Sequence, residues 1–501
     1  MTDRVSSRHE DDLGGRFLPF SNTKQVDVTV EVAATTACLA KTQHTAWMLV
    51  NLLARLDGVV RRIGLICPPG ISLAGRIVPL SSRNVDLRTA LLLGAQAVDA
   101  VPIEPDLRMD PTLLVGGSND SQADLHLCGD GWWGGISEKP IADLQSAHGS
   151  SALPFGPYVA ACLAVAEVFK AARLKPGAYR SPGSAFYSLW DHRTSGSPPI
   201  GGPNVADLEL NAALAGIGAV GSAALHCLWA CPNIAGRLVL ADNDSKGVDS
   251  TNLNRYVLFG RAAIGAPKAT AAAQAAGDSG LELQPFDDDI VFLNELPPRV
   301  LSAVDTNTAR AGLQNRYPAR ILSASTFDLR AEALRCGPPG VGACLRCHNP
   351  PVAPSSDVDF RVGLRGATSE EVDEYARNAS VTSAQAREWI ETGRCGVPGE
   401  RLLSVLRHSD NGGQFAVGFV SVMAGTMLAA ELLKDYGTHP GPLSESAQRA
   451  VFQFHNPAAR SNRAAAYSRD PECSMCAPQS AACQIWAQRY AALLPKRSHS
   501  K

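Results

Sequence analysis

Along this chain the apolar positions switch between two periods. Val26–Val32 alternates apolar and polar residues as a half-buried strand does, and 45–56 then repeats apolar residues at helical spacing. A second strand is expected over 61–67, and Leu113-Leu-Val-Gly-Gly predicts a third. A long, mostly apolar helix is predicted over 155–174. After residue 205 the alternation resumes: Arg237-Leu-Val-Leu-Ala is a buried strand, Ser302-Ala-Val a short apolar run, and 415–433 an apolar helix. Strands alternating with helices predict an α/β fold. Its occurrence twice predicts two lobes, about 20–180 and 205–480, joined by a Pro/Gly/Ser-rich linker over 181–204.

The run 415–433 is apolar enough to suggest a membrane span. Gly418, Ser421, Gly425, Thr426 and Glu431 interrupt it, however, and a tightly packed buried helix is the better reading. Before it lies a polar insert, about 350–410. Thr368-Ser-Glu-Glu371 and Thr382-Ser-Ala-Gln385 both read as helix starts there, the second with Gln at the capping-box position.

Chemistry concentrates in the second half. Gly216-Ile-Gly218-Ala-Val-Gly221-Ser222 allows a strand-to-helix turn to bring backbone N–H groups against a nucleotide at the positive end of a helix. Taken alone, such a loop is as often a plain tight turn or a NAD site. Asp242 closes the next apolar strand, where an acid can hold ribose hydroxyls, and Asp244 follows. Asn252-Leu-Asn-Arg255 and Gly265-Ala-Pro-Lys268 then bring two cations to the same side of the sheet. A dinucleotide needs no such pair; a triphosphate being cut does, because charge builds on its oxygens. Asp305 ends a further apolar run, where it could hold Mg²⁺ on phosphates or simply cap the next helix.

In this order the motifs resemble the adenylation domain shared by ubiquitin-activating enzymes and the bacterial ThiF/MoeB-type enzymes, over about 205–480. The resemblance implies that Asp242, Asp244, Asn252, Arg255 and Lys268 contact ATP and that Asp305 binds Mg²⁺. One departure is that the stretch from Asp244 to Arg255 is about two residues longer than usual, which puts the role of Asp244 in doubt. The first lobe carries the same alternation without the glycine run or the acid after its second strand. It therefore looks like the inactive, Rossmann-like half of a two-lobed activating enzyme; an unrelated Rossmann-like regulatory domain is the alternative.

Four of the 13 cysteines form two knuckles, Cys344-Leu-Arg-Cys347 and Cys473-Ser-Met-Cys476. Two such pairs complete a closed tetrahedral zinc site, a staple with no open position for catalysis. A redox role for either pair is the lesser alternative. Cys395, in Thr392-Gly-Arg-Cys395-Gly-Val-Pro, has flanking glycines and an arginine that favours its thiolate. In the resembling enzymes the loop before the buried helix can carry the cysteine that receives the activated protein. Cys395 is therefore the candidate nucleophile, against the plain reading of a free thiol, with Cys336 as competitor. Cys227 and Cys231 read as packing.

A formal net charge of −2 gives no reason to expect nucleic acid or an anionic membrane as partner. The polar opening Met-Thr-Asp-Arg-Val lacks the apolar core of a signal peptide, so a cytoplasmic protein is expected. The resemblance implies ATP-dependent activation of a ubiquitin-like protein and its hand-over, as a thioester on Cys395, to a ubiquitin-conjugating-like enzyme. It further implies a pseudo-dimeric monomer or a homodimer, with a role in bacterial ubiquitin-like conjugation operons linked to antiviral defence. Two rivals stand beside this: an adenylyltransferase for a sulfur-carrier protein in thiamine or molybdopterin synthesis, and a NAD-binding oxidoreductase or nucleotide-binding scaffold.

Overall fold

The computed structural model describes residues 18, 23–79, 84–116, 122–141, 151–175, 177–199, 201–337, 342–349, 368–379, 381–392, 416–437 and 448–491. The same folding plan occurs twice. In the first lobe the strands are β1 (Val26–Val32), β2 (Val60–Ile66), β3 (Ile103–Pro105), β4 (Thr112–Val115), β5 (Leu125–Asp130), β6 (Trp133–Ser137), β7 (Ser184–Ser188) and β8 (Arg193–Ser195). Those of the second are β9 (Leu208–Ala215), β10 (Ile234–Ala241), β11 (Leu281–Phe286), β12 (Arg299–Ser302), β13 (Arg320–Phe327), β14 (Arg330–Cys336), β15 (Arg449–Gln453) and β16 (Arg463–Ala465). The sheets run β3-β2-β1-β4-β5-β6-β7-β8 and β11-β10-β9-β12-β13-β14-β15-β16, so strand order is repeated without change. Five strands of each are parallel and the last three join antiparallel. The expected two-lobed α/β architecture is present.

The helices repeat too. In the first lobe α1 (Ala40–Leu53), α2 (Leu87–Gln96) and α3 (Phe155–Arg173) follow β1, β2 and β6. In the second, α4 (Ala219–Ala230) follows β9, α5 (Lys268–Ala275) follows β10, and α6 (Asn307–Gln314) follows β12. The one-turn α7 (Leu345–His348) carries the first cysteine knuckle. Two helices of the insert come next, α8 (Ser369–Asn378) and α9 (Ser383–Thr392). The long α10 (Gly418–Tyr436) answers to α3, and α11 (Ala481–Arg489) ends the described chain.

Four helices form the layer between the sheets: α1 and α3 lie on the first, α4 and α10 on the second, and α3 packs on α10. All four are buried on nearly every side, α3, α4 and α10 behind mostly apolar residues and α1 with Gln43, His44 and Asn51 buried among its apolar ones. Gly425 lets α10 close on α4, since a Cβ there would come within 2.6 Å of the Ala223 Cβ. The run expected to bury is thus buried, with Glu431 answered by His192 of the first lobe at 2.7 Å. By length and composition α3 alone among the described helices could cross a membrane, yet it is buried in this layer.

Several boundaries differ from expectation. The first helix begins at Ala40 instead of 45, because the chain turns tightly through 34–39 and needs no side-chain cap at Leu39. The run at Leu113 is the fourth strand in chain order, since the three-residue β3 precedes it. The passage 181–204, read as linker, instead carries β7 and β8, which finish the first sheet, β7 pairing with β6 and β8 with β7. Its Pro, Gly and Ser content reflects an edge hairpin and short connections, not a tether between lobes.

The insert, 350–415, is a compact unit of its own. Its α8 and α9 form a helical hairpin tied by Arg387 to Asp373 at 2.7 Å. The capping box is made as expected: Gln385 N donates to Thr382 Oγ1 at 3.3 Å, and Thr382 N to Gln385 Oε1 at 3.0 Å.

Candidate active site

Three parallel strands of the second lobe end level with one another. Ala215 of β9 is flanked by Ala241 of β10 and Ser302 of β12. The residues that follow, Gly216, Asp242 and Ala303, therefore share one edge, held by Gly216 N to Ala241 O and Ala303 N to Ala215 O, both 2.8 Å. This is the carboxyl end of a parallel sheet, the usual place for a ligand in an open α/β fold.

The glycine loop is built by close approach. Gly216 has φ +85°, and a Cβ there would lie 2.9 Å from the Ala303 carbonyl oxygen. At Gly221 a Cβ would lie 1.8 Å from the Gly216 carbonyl oxygen, so only glycine lets α4 start this close to β9. Gly218 is the N-cap of α4, and the space beside its Cα is open. Asp242 fixes the loop from below: its carboxylate accepts from Ile217 N at 2.6 Å and from Asp244 N at 3.0 Å. The Ile217 amide of the loop and the acid expected at ribose are thus one hydrogen-bonded unit.

Lys268 opens α5 and points its ammonium at Asp244, 2.6 Å away, and Asp242, 3.9 Å away. Burial disfavours that ammonium, but Asp242, Tyr256 and Asp244 outweigh it and hold the pKa above the ordinary lysine value. The hydrogen bond from Lys268 in turn keeps Asp244 below the usual carboxylate range. After Asp244 the chain enters a turn closed by Gly247 N on Asp244 O at 3.0 Å, and Asp244 stays at the edge beside Lys268. Arg255 donates to Asn252, and the two cations flank one aromatic ring, with Arg255 5.8 Å and Lys268 5.6 Å from the Tyr256 centroid. Tyr256 was not singled out from the sequence; an aromatic directly after the arginine is the signal that was there to read.

Asp305 follows β12 on the same edge and is exposed. The alternative of a helix cap is taken by its neighbour: Thr306 Oγ1 accepts from Ala309 N at 3.1 Å and caps α6. Asp305 thus stays an exposed carboxylate at this edge, a hard oxygen ligand of the kind a divalent cation takes.

The matching edge of the first lobe is closed. Thr36 Oγ1 donates to Gly116 O at 2.8 Å, and Lys41 is paired with Asp130 at 3.0 Å. A cavity of about 30 Å³ remains among Thr36, Lys41, Thr42 and Gly116, far below the roughly 300 Å³ of a small-molecule site.

Below the second sheet Cys344, Cys347, Cys473 and Cys476 converge, their sulfurs all within 4.8 Å of one another. Three of the separations are 3.9 Å (Cys344–Cys347), 3.7 Å (Cys344–Cys473) and 3.5 Å (Cys347–Cys476). A tetrahedron with Zn–S bonds of about 2.3 Å needs sulfurs about 3.8 Å apart, so the four fit zinc. Trp486 and Met475 pack around them, and Tyr317 lies alongside.

Cys395 lies outside the described residues. Its competitor Cys336 ends β14 fully buried, and burial pushes its thiol far up, which leaves no thiolate for attack. Cys227 and Cys231 are buried in the helix layer as expected, Cys227 lying 3.3 Å from Thr426 Oγ1.

Residues 75–184 match the BilD N-terminal domain. An uncharacterized protein of Sinorhizobium fredii, y4jF, is 28% identical over 461 residues, covering 83% of each chain. Among solved structures, E. coli MccB with ATP superposes at 15% identity and a TM-score of 0.37, over 54% of this chain and 68% of that one. E. coli MccB with MccA-N7isoASN does so at 16% identity and 0.37, with the same coverage. Residues 206–475, over half of the 501, match the ThiF family. The chain belongs to the ThiF family of ATP-dependent adenylyltransferases.

Proposed function

We propose that this chain activates the C-terminal carboxylate of a ubiquitin-like protein in the bacterial cytoplasm and passes it to a conjugating enzyme. The observation that carries the reading is the joined group of Asp242, Asp244, Lys268 and Tyr256 beside the glycine loop, present at the edge of the second sheet and replaced by a closed edge in the first. In this reading the amides at the start of α4 seat the phosphates of ATP and Asp242 takes the ribose. A carboxylate oxygen of the substrate attacks the α-phosphorus, the bond to the β-phosphate oxygen breaks, and pyrophosphate leaves with the charge. Lys268 and Arg255 stabilise that charge as it forms. Mg²⁺ held by Asp305 would supply further charge neutralisation on the phosphates.

The acyl-adenylate would then be attacked at its carbonyl carbon by the Cys395 thiolate, releasing AMP and leaving a thioester. Family membership covers adenylation; the ubiquitin-like substrate rests on two further supports. The first lobe is a complete second copy of the fold, as expected of a two-lobed activating enzyme, whereas adenylyltransferases for sulfur-carrier proteins are usually single-lobed dimers. The match of 75–184 to the BilD N-terminal domain falls in that extra lobe. Cys395→Ala tests the last step: the variant should still exchange pyrophosphate but lose a thiol-sensitive adduct with the ubiquitin-like protein. A wild type that forms no such adduct would favour the sulfur-carrier activity instead.

A further inference from the structure

The first lobe has a closed edge, yet it reaches into the working half of the molecule at one place. Arg55, just beyond α1, is 2% exposed. Its guanidinium donates to Asn51 Oδ1 at 2.9 Å, to the Leu253 carbonyl at 2.5 Å and to the Phe259 carbonyl at 2.8 Å. Asn51 Nδ2 adds a bond to the Val257 carbonyl at 2.9 Å. Leu253 and Phe259 bracket the segment that contains Arg255 and Tyr256. The fork of one first-lobe arginine thus bridges both ends of the loop that presents Arg255 to the site.

The cost of this arrangement argues that it has a purpose. Among the described residues no carboxylate pairs with Arg55, and burial pulls its pKa down to about 9. A buried cation held only by neutral oxygens is dearer than an apolar side chain of similar size. What the guanidinium supplies and an apolar residue cannot is a rigid planar fork with fixed donors. The loop needs such a hold, because behind it lies a cavity of about 220 Å³ lined by Trp47, Arg55, Val98, Val257 and Phe259. Packing alone does not fix it there. Further bonds to the first lobe follow, from Arg261 N to Ala97 O at 2.9 Å and Arg261 Nε to Val98 O at 3.1 Å.

We propose that Arg55, with Asn51, is a positioning residue for Arg255, so that the first lobe acts as the jig that sets one phosphate-binding cation of the second. This rests on the reading of Arg255 as a nucleotide contact. The test is the affinity of the full chain for α,β-methylene-ATP with Mg²⁺, by calorimetry, for wild type, Arg55→Lys, Arg255→Ala and the double variant. Arg55→Lys keeps the buried charge but not the fork, and should weaken binding about tenfold, the scale of one charged hydrogen bond. In the Arg255→Ala background the same change should cost less than about twofold, since residues acting through one another do not add. Should Arg55→Lys fail to fold, Asn51→Ala takes its place, because it removes the contacts of Asn51 to Arg55 Nε and the Val257 carbonyl but leaves both bonds of the fork to the Leu253 and Phe259 carbonyls. Equal losses in both backgrounds, or no loss in either, overturn the proposal. A wild type that does not bind the analogue removes the nucleotide-site reading and this inference with it.

Discussion

The Lys268 ammonium lies 2.6 Å from the Asp244 carboxylate, the acid whose role the sequence left in doubt. The chain after Asp244 turns back on itself, Gly247 N donating to Asp244 O at 3.0 Å, and leaves the carboxylate within reach of the ammonium. Two carboxylates from the segment after β10 and an ammonium from the start of α5 therefore form one group at the edge of the second sheet, with the lysine kept charged by its neighbours.

Asp305 and Thr306 are adjacent but do different work, and substitution should separate them. Asp305→Ala is expected to lower ATP–pyrophosphate exchange at least about a hundredfold with an unchanged melting temperature, because it acts on phosphate charge. Thr306→Ala should keep exchange and cost about 1 kcal/mol of stability, the value of a helix N-cap. Exchange assays and thermal melts on the two proteins check both; a reversal of the pattern would return Asp305 to a structural role.

One zinc per chain should be found by metal analysis of the purified protein. Cys344→Ser with Cys347→Ser should abolish it and give a low-melting or insoluble product. The metal links positions far apart in sequence and its binding energy is folding energy. Zinc-free wild type of normal stability would contradict the assignment.

The seam between the lobes should weaken in acid. His226 accepts from Trp47 Nε1 at 3.1 Å through Nε2 and faces Tyr158 Oη at 2.9 Å through Nδ1, so it is held neutral. Burial, with His44 and Arg55 nearby, pushes its pKa down to about 3, and burial with Arg76 nearby does the same to His44. The unfolded chain takes up these protons first. Stability is therefore whole above the ordinary histidine value of about 6.5 and is lost as pH falls from there toward about 3. At pH 5 the loss is about 2 kcal/mol for each histidine. Melting temperature should fall between pH 7 and 5, and His226→Gln should make that fall shallower. A parallel profile for the variant would show that His226 does not carry the effect.

Much of this was readable in advance, for reasons that can be named. The places of the glycine loop, Asp242, Lys268 and the cysteine knuckles in the fold were legible because each is local: a turn, a strand end, a helix start or a short spacing marks its position. The strands β7 and β8 were not. Their residues look like a linker, and only the pairing of β7 with β6, some fifty positions earlier, and of β8 with β7 makes them a sheet edge. Arg55 and His226 were missed for the same reason, since their partners lie in the other lobe and nothing beside them in sequence shows it. Helix α1 was placed late because its first turn lacks a capping side chain. Tyr256 was local and was simply passed over.

The most direct measurement is incorporation of labelled pyrophosphate into ATP by the full chain, with and without a ubiquitin-like protein that ends in a free carboxylate. The account predicts exchange that requires that protein and falls at least about a hundredfold in Lys268→Ala. Exchange that persists near the wild-type rate in Lys268→Ala, or a wild type that exchanges nothing with the carrier present, would contradict it.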